Sequence, residues 1–478
     1  MLQLPEDVIF LIVEQLDQLH RQERSQFFPP RYQPGLSQYA VVNRTWNAII
    51  ERETFRHIFV CSDGFTRKDF DYSPTPSRFK EMMNRDPARR RAIIHQISFY
   101  ASHKFPLDSD EAQSKAGGAA NDRHFSQSVR EFWKVLQGLE WPKGRTFTLR
   151  FSSLSVVKQF YDGRMYPSGP YLHLIGDTLP YLSCVSSFLL GEYLRICPSS
   201  LLRIVATMKE LRHVQLRLDD TIINPEQRLQ YRKDLGTCIS QLPTSSLLSF
   251  EAVFCNMPLG LGEQPAVTPG SPDVLCIAIR NLSMYLRDLR LEDLRVSPEL
   301  FWPTVEQQRQ QPVSGPTPQP LWPHLETLYL NFEPVDSYGR FYADPIPEEL
   351  AYNATQNTPV ESIKRALPRR QCGLHQLIAA AGRAIFQGGM LRLQMMLLEI
   401  EARGLQVMLN FDGDERGCRG AGTTKKRDAL SGNDSTADDD EVFAVADVDS
   451  SGNVTMAEYM GYMRPGPNMG LYIDRFNK

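Results

Sequence analysis

Apolar residues near the N-terminus recur at the three- and four-residue spacing of a helix. The residues of this face are Val8, Ile9, Ile12, Val13 and Leu16. Pro5 and the acids Glu6 and Asp7 suit a first helical turn, where proline needs no hydrogen-bond donor and negative charge meets the positive end of the helix dipole. A second helix is predicted over 37–51. Two helices this short cannot bury their apolar faces alone, so a further surface is expected to cover them.

From about residue 93 the pattern changes to short strand-like runs that alternate with helical stretches. The predicted strands lie at 146–151, 211–218, 247–254, 286–296 and 324–332, and the clearest helical stretches lie at 193–211 and 374–396. Several strands carry a Leu-x-x-Leu-x-Leu core, as in Leu325, Leu328 and Leu330. This pattern favours an α+β or α/β chain built as an irregular leucine-rich-repeat-like solenoid, with a generic α/β domain as the alternative.

Polar segments rich in Gly, Pro, Gln, Ser or Asp punctuate the chain. Residues 104–126 and 307–320 are predicted to be loops, and 412–440 a disordered acidic and polar linker. The predicted organisation is therefore an N-terminal helical module over 1–60, an α/β region over 61–411, that linker, and a C-terminal module over 441–478.

The overall charge narrows the classes of partner. The chain has 478 residues and a net charge of −3, so it has no general attraction for nucleic acid or for an anionic membrane. The basic run Arg89–Arg91 is more typical of a solvated helix face than of a nucleic-acid patch. No apolar run reaches the roughly 18 residues of a membrane span, and the acidic N-terminus does not resemble a secretory signal. We therefore expect a cytoplasmic or nuclear protein without nucleic-acid or membrane partners.

No pattern in the sequence predicts an enzyme. The eight cysteines are scattered without a CxxC pair and are typical of reduced core thiols. Phosphate-binding glycine loops, the GxSxG elbow and the HExxH zinc motif are all missing from the sequence. The expectation is a non-catalytic protein that requires no cofactor.

The two N-terminal helices resemble a known docking module. Leu4-Pro5-Glu6-x-Val8-Ile9-x-x-Ile12 is similar to the opening of an F-box, and Val42-Asn43-Arg44-x-Trp46-x-x-Ile49-Ile50-Glu51 to its closing helix. The residues that follow resemble filamentous-fungal F-box proteins, including the stretch 299–303. The resemblance implies a fold of N-terminal F-box helices followed by the irregular leucine-rich-repeat-like solenoid.

The resemblance also implies a function. An F-box protein docks the Skp-type adaptor of an SCF ubiquitin ligase and brings a protein target, whose identity the sequence does not reveal. The residues expected to face the adaptor or brace the helices are Leu4, Pro5, Val8, Ile9, Ile12, Leu16, Val42 and Trp46. Excess apolar surface on a helical hairpin suits docking into a groove. The alternative is that these residues cap the end of a repeat array.

One motif near the C-terminus indicates a calcium site. Residues 447–458 match the twelve-residue calcium loop, with a glycine at its sixth position for the sharp turn. The side chains that would supply oxygen ligands are Asp447, Asp449, Ser451, Asn453, Thr455 and Glu458. A second loop to pair with it is missing, and the same residues also fit a β-hairpin that would cap the solenoid. Both interpretations, a single EF-hand-like motif that binds calcium and a terminal hairpin, remain open. The alternative functions are accordingly a non-catalytic interaction protein and a calcium-responsive scaffold that acts through the loop 447–458.

Overall fold

The computed structural model of the chain divides into two compact units, Met1–Asp219 and Asp220–Lys478. The structure describes residues 5–22, 36–63, 73–105, 114–152, 171–191, 194–219, 225–255, 266–268, 271–303, 322–333, 335–340, 342, 374–402, 405–412, 442–448, 454–456 and 470–474. In both units, parallel strands alternate with helices along the chain.

The first unit begins with helices and continues as a parallel sheet. Its helices are α1 (Glu6–Gln22), a 3-10 helix (Leu36–Val41), α2 (Arg44–Arg56), α3 (Pro76–Arg85), α4 (Pro87–Ile93), α5 (Lys115–Gln137) and α6 (Pro198–Val205). Its strands are β1 (His57–Cys61), β2 (Gln96–Tyr100), β3 (Phe147–Ser152), β4 (Val185–Leu190) and β5 (His213–Asp219). These strands pair in parallel and in sequence order, from β1 to β5.

The second unit combines parallel and antiparallel strands. Its helices are α7 (Pro225–Ser240), α8 (Val274–Ser283), a short 3-10 helix (Pro298–Leu300) and α9 (Leu374–Phe386). Its strands are β6 (Ser249–Cys255), β7 (Asp288–Leu294), β8 (Thr327–Phe332), β9 (Met395–Ala402), β10 (Leu405–Asp412), β11 (Val442–Val448), β12 (Val454–Met456) and β13 (Gly470–Asp474). Strands β6 to β9 are parallel, and the sheet continues antiparallel through β10, β13, β11 and β12.

Buried and more exposed side chains alternate along the strands, and the buried ones form the core. In β2, Ile97 and Phe99 are fully buried, and the Phe99 ring stacks on Phe132 of α5 with centroids 4.2 Å apart. In β8, Leu328 and Leu330 alternate with half-buried polar residues. Because crossovers between parallel strands are right-handed, a strand order that follows the sequence places the connecting helices on one face of each sheet. The core of each unit therefore lies between its sheet and its helices.

The predicted fold class was wrong. The structure is an α/β arrangement of parallel strands interleaved with helices, and not N-terminal F-box helices followed by an irregular leucine-rich-repeat-like solenoid. The strands predicted from the leucine runs are present, but strands without such a run, such as β1 and β2, pair in the same parallel series, and the 23-residue α5 overlaps a segment predicted to be a loop. A buried parallel strand has the same leucine-rich pattern whether or not it belongs to a repeat.

One predicted loop is partly helical. Residues 104–126 were expected to be a loop, yet α5 begins at Lys115, where the Ser114 side chain caps the helix by accepting a hydrogen bond from the backbone N–H of Gly117 at 3.0 Å. The buried side chain of Asn121 exchanges two hydrogen bonds with the backbone of Phe105. The polar residues that suggested a loop thus satisfy backbone groups inside the fold.

Other boundaries also differ from the prediction. The expected boundary at residue 60 falls inside β1, because α2 ends at Arg56 and β1 begins at His57. The predicted loop 307–320 and the predicted linker beyond Asp412 lie outside the described residues. Within the part of the chain that the structure describes, no helix combines the length and apolar character needed to cross a membrane.

Candidate adaptor-docking surface

Helices α1 and α2 share a small apolar core. Ile9 and Val13 of α1 pack with Ile49 and Ile50 of α2, and each of these four side chains is at most 3% exposed. Because an α-helix turns by about 100° per residue, Ile9 and Val13 lie one turn apart on the same face. This face fixes how α1 sits on α2.

A second apolar face of α1 remains exposed. Val8 is 39% exposed and Leu11 is 57% exposed. Together with half-buried Ile12 and Leu16 and with Gln15, they line a shallow concavity. On a helical wheel the centre of this face lies about 120° from the buried face. Helix α1 therefore presents apolar residues both to α2 and away from it.

The segment before α2 adds more exposed apolar surface. Val41 is 86% exposed and Val42 is 57% exposed, at the end of the 3-10 helix. The Asn43 side chain then caps α2, accepting a hydrogen bond from the backbone N–H of Trp46 at 3.0 Å. The half-buried Trp46 ring packs near Tyr39, with centroids 6.5 Å apart. The cap and the aromatic pair hold the turn that displays the two valines.

Ion pairs attach α2 to the α/β part of the first unit. The carboxylate of Glu51 lies 3.0 Å from the guanidinium of Arg89 and 2.9 Å from that of Arg90. The guanidinium of Arg90 also lies over the Phe55 ring, 4.6 Å from its centroid. Arg91 is only 6% exposed and donates to the backbone oxygen of Glu140. Arg89 and Arg90 thus hold α2 in place, whereas Arg91 anchors α4 to the backbone of Glu140. The expectation of a solvated helix face was wrong for Arg90 and Arg91.

The structure separates the predicted docking residues into two groups. Ile9 is buried and braces the helices, Trp46 is half-buried in the same role, and Leu4 lies outside the described residues. The residues available to a partner are exposed Pro5, Val8 and Val42 and half-buried Ile12 and Leu16.

Sequence reasoning missed two residues of this surface, Leu11 and Val41. Leu11 lies outside the single apolar face predicted for α1, and it is included only when α1 is given two apolar faces on the helical wheel.

The predicted calcium loop lies between paired strands. In β11 and β12, Asp447 is the antiparallel partner of Thr455, and Val448 of Val454. This backbone arrangement is the one that the hairpin interpretation expects, whereas an EF-hand places helices on both sides of its loop. Asp449, Ser451, Asn453 and Glu458 lie outside the described residues, so calcium binding stays a prediction.

The described residues contain no group of three or more His, Cys, Asp or Glu side chains placed to hold a metal ion. Comparison with models of protein families, with curated proteins and with solved structures finds no match for this chain.

Proposed function

We propose that this chain is a substrate-recognition subunit of an SCF-type ubiquitin ligase. In this proposal the exposed face of α1, with the turn before α2, docks a Skp-type adaptor, and the α/β region recruits a protein target. The observation that carries the proposal is the second apolar face of α1, on which Val8 and Leu11 stay exposed although Ile9 and Val13 already bury the helix against α2. A helix that only capped the fold would have a polar outer face.

The size of the exposed face is suited to docking. Full burial of a Val or Leu side chain contributes about 1.5–3 kcal/mol, so covering the exposed half of Leu11 contributes about 1 kcal/mol. Val8, Val41 and Val42 add comparable amounts if the same partner covers them. A helix face with anchors one turn apart is a recurring way to fill a hydrophobic groove.

The attachment of α2 also supports this role. Helix α2 leads into β1 without an intervening loop, and Glu51 holds it to Arg89 and Arg90. An adaptor bound to α1 would therefore be held in a defined orientation to the first unit. Ubiquitin transfer would take place on other subunits of the ligase, in the cytoplasm or the nucleus, so this chain needs no reaction centre of its own.

The proposal is tested by co-purification of the full chain with the adaptor. Leu11→Asp places a charge where the adaptor would exclude water, and we expect adaptor recovery to fall at least about tenfold, which corresponds to about 1.4 kcal/mol. Leu391→Asp is the matched control, because Leu391 is an exposed leucine of the second unit, 78% accessible. Equal adaptor recovery from both variants and the unchanged chain would contradict the docking assignment.

The same purification separates two roles. If the chain is a substrate-recognition subunit, the scaffold subunit of the ligase should co-purify together with the adaptor. Adaptor recovery without the scaffold would instead indicate an interaction protein that binds the adaptor but delivers no target.

A further inference from the structure

Two short segments of the first unit bring a cysteine and a histidine together. Leu172 and Ile196 form an isolated parallel bridge, and the backbone N–H of Cys197 donates to the oxygen of Leu172 at 3.0 Å. Leu172 and Ile196 are buried, at 1% and 4% exposure. Because side chains alternate along extended backbone, the next residues, His173 and Cys197, lie side by side on the outer face. His173 is exposed and Cys197 is half-buried.

The surroundings of Cys197 favour its thiolate. Cys197 is the N-cap residue of α6, at the positive end of the helix dipole. Its Sγ lies 3.3 Å from the hydroxyl of Ser199, and the bridge between Leu172 and Ile196 places His173 beside it. Burial by itself raises the pKa of the Cys197 thiol, but the hydrogen bonds with His173 and Ser199 outweigh it and bring the pKa to about 7.

Two helices hold His173 in place. The backbone N–H of His173 donates to Oδ1 of Asp122 on α5 at 2.7 Å, and its carbonyl accepts from the Ser126 hydroxyl at 3.2 Å. On α6, the Ser200 hydroxyl accepts from the N–H of Leu174 at 2.8 Å. The hydrogen bond with Cys197 raises the pKa of His173 despite partial burial, and the charge of Asp122 adds to this effect. The imidazolium and the thiolate therefore stabilise each other.

Arg203 of α6 also approaches this loop, but it hydrogen-bonds the backbone oxygens of Leu174, Gly176 and Asp177.

The other described cysteines differ from Cys197. Cys61, Cys184, Cys238 and Cys276 are buried, as the sequence predicted for core thiols. Burial raises the pKa of Cys61 to about 11 and that of Cys184 to about 12. Among the five cysteines whose side chains the structure describes, Cys197 is the one that combines access to solvent with a basic neighbour. Because Cys197 is only half-buried, the prediction of a core thiol was wrong at this position.

We propose that Cys197, paired with His173, is a site of reversible thiol–disulfide exchange with low-molecular-weight disulfides. The Cys197 thiolate attacks one sulfur of the disulfide, and a new S–S bond forms as the old one breaks. The second sulfur leaves as a thiolate and takes the proton carried by His173. The Cys197 sulfur supplies the electron pair of the new S–S bond, and the leaving sulfur keeps the pair of the broken bond, so the number of disulfide bonds is unchanged and no further oxidant is needed. The product is a mixed disulfide on the surface of the first unit.

The test is the rate at which oxidised glutathione modifies each cysteine of the full folded chain, followed by peptide mass spectrometry from pH 5.5 to 9.5. We expect Cys197 to react with a midpoint near pH 7, while Cys61 and Cys184 stay unmodified until the chain is unfolded. A Cys197 midpoint that stays near 9, the value of an ordinary thiol, would overturn the proposal.

Two variants separate a chemical role of the pair from a structural one. In His173→Gln the fraction of Cys197 present as thiolate at pH 7 should fall from about half toward about one hundredth. A more basic thiolate is a stronger nucleophile, which offsets part of this loss, so the rate of Cys197 modification at pH 7 should fall by about five- to tenfold. At pH 9.5 the rate should equal or exceed that of the unchanged chain. Asp122→Asn keeps an oxygen for the His173 N–H but removes the charge, so a smaller upward shift of the midpoint is expected. Unchanged midpoints in both variants would refute the role of the pair, and a rate lowered equally at every pH would indicate a structural role instead.

Discussion

A buried ion pair in the second unit allows a quantitative prediction. Asp273 is fully buried, and its carboxylate accepts hydrogen bonds from the Arg232 guanidinium at 2.7 Å and 3.2 Å. Oδ1 of Asp273 also accepts from the backbone N–H of Cys276 and so caps α8. Arg232 donates further to the backbone oxygen of Arg295. This ion pair therefore joins α7, α8 and the segment after β7.

Asp273→Ala removes the cap and leaves the Arg232 charge buried without its partner. Breaking a buried pair in this way costs about 3–5 kcal/mol. We expect the amide hydrogens of α8 to exchange about a hundred- to a few-thousandfold faster, since each 1.4 kcal/mol corresponds to a factor of ten. Hydrogen–deuterium exchange of peptides covering 274–283 measures this change directly.

The double variant Arg232→Met/Asp273→Ala is the control, because it removes both charges and keeps most of the side-chain volume. Replacing a whole buried pair by apolar groups is often close to neutral. The double variant should therefore protect α8 better than Asp273→Ala alone. Less than a tenfold change in Asp273→Ala, or a double variant in which α8 is less protected than in Asp273→Ala, would contradict this prediction.

Three further predictions follow from particular contacts. Burial alone would raise the pKa of Asp273, but the Arg232 charge holds that pKa below its usual value. The ionised carboxylate therefore stabilises the fold fully above the unfolded pKa of about 3.9, and this contribution is lost as the pH falls through the lower folded pKa. The protection of α8, corrected for intrinsic exchange, should stay level from pH 7 to 5 and fall only in stronger acid. Gly388→Ala would place a methyl group 2.5 Å from the backbone oxygen of Ala384 and 2.6 Å from the Trp322 ring, so a loss of about 1–3 kcal/mol is expected in urea unfolding. Asn43→Ala removes the cap of α2 and should cost about 1 kcal/mol, measured as faster amide exchange in residues 44–50.

Local spacing was sufficient to predict many of the elements. The helical spacing that begins at Val8 corresponds to α1, and the alternating run 324–332 contains β8. The second predicted helix, over 37–51, is interrupted, because Asn43 ends the 3-10 helix region and starts α2 with its own cap. These features depend on residues within one or two turns of each other, so the sequence pattern alone predicts them.

The fold class depends on contacts that local spacing does not encode. Leu328 and Leu330 are buried as the leucine pattern predicts, but the pattern does not specify what covers them. The length of α5 was missed because Ser114 and Asn121 are typical of loops, although here they satisfy backbone groups. Such residues predict a loop or a helix cap depending on their tertiary partners.

The docking surface and the Cys197 site likewise combine residues that the sequence shows with neighbours that only the fold decides. Apolar residues of α1 could be predicted as a set, but only the packing of α2 decides that Ile9 is buried and Leu11 exposed. Cys197 and His173 are 24 positions apart, so the sequence alone gives no reason to pair them until the bridge between Leu172 and Ile196 aligns their segments.

We propose that the exposed face of α1 and the turn before α2 bind a Skp-type adaptor. Hydrogen–deuterium exchange of the full chain, with and without the purified adaptor, tests it most directly. We expect slower exchange in the adaptor complex for peptides covering 5–16 and 39–46, with the peptides of α8 unchanged as an internal reference. Adaptor binding that leaves residues 5–16 unprotected, or no binding at adaptor concentrations of tens of micromolar, would contradict it.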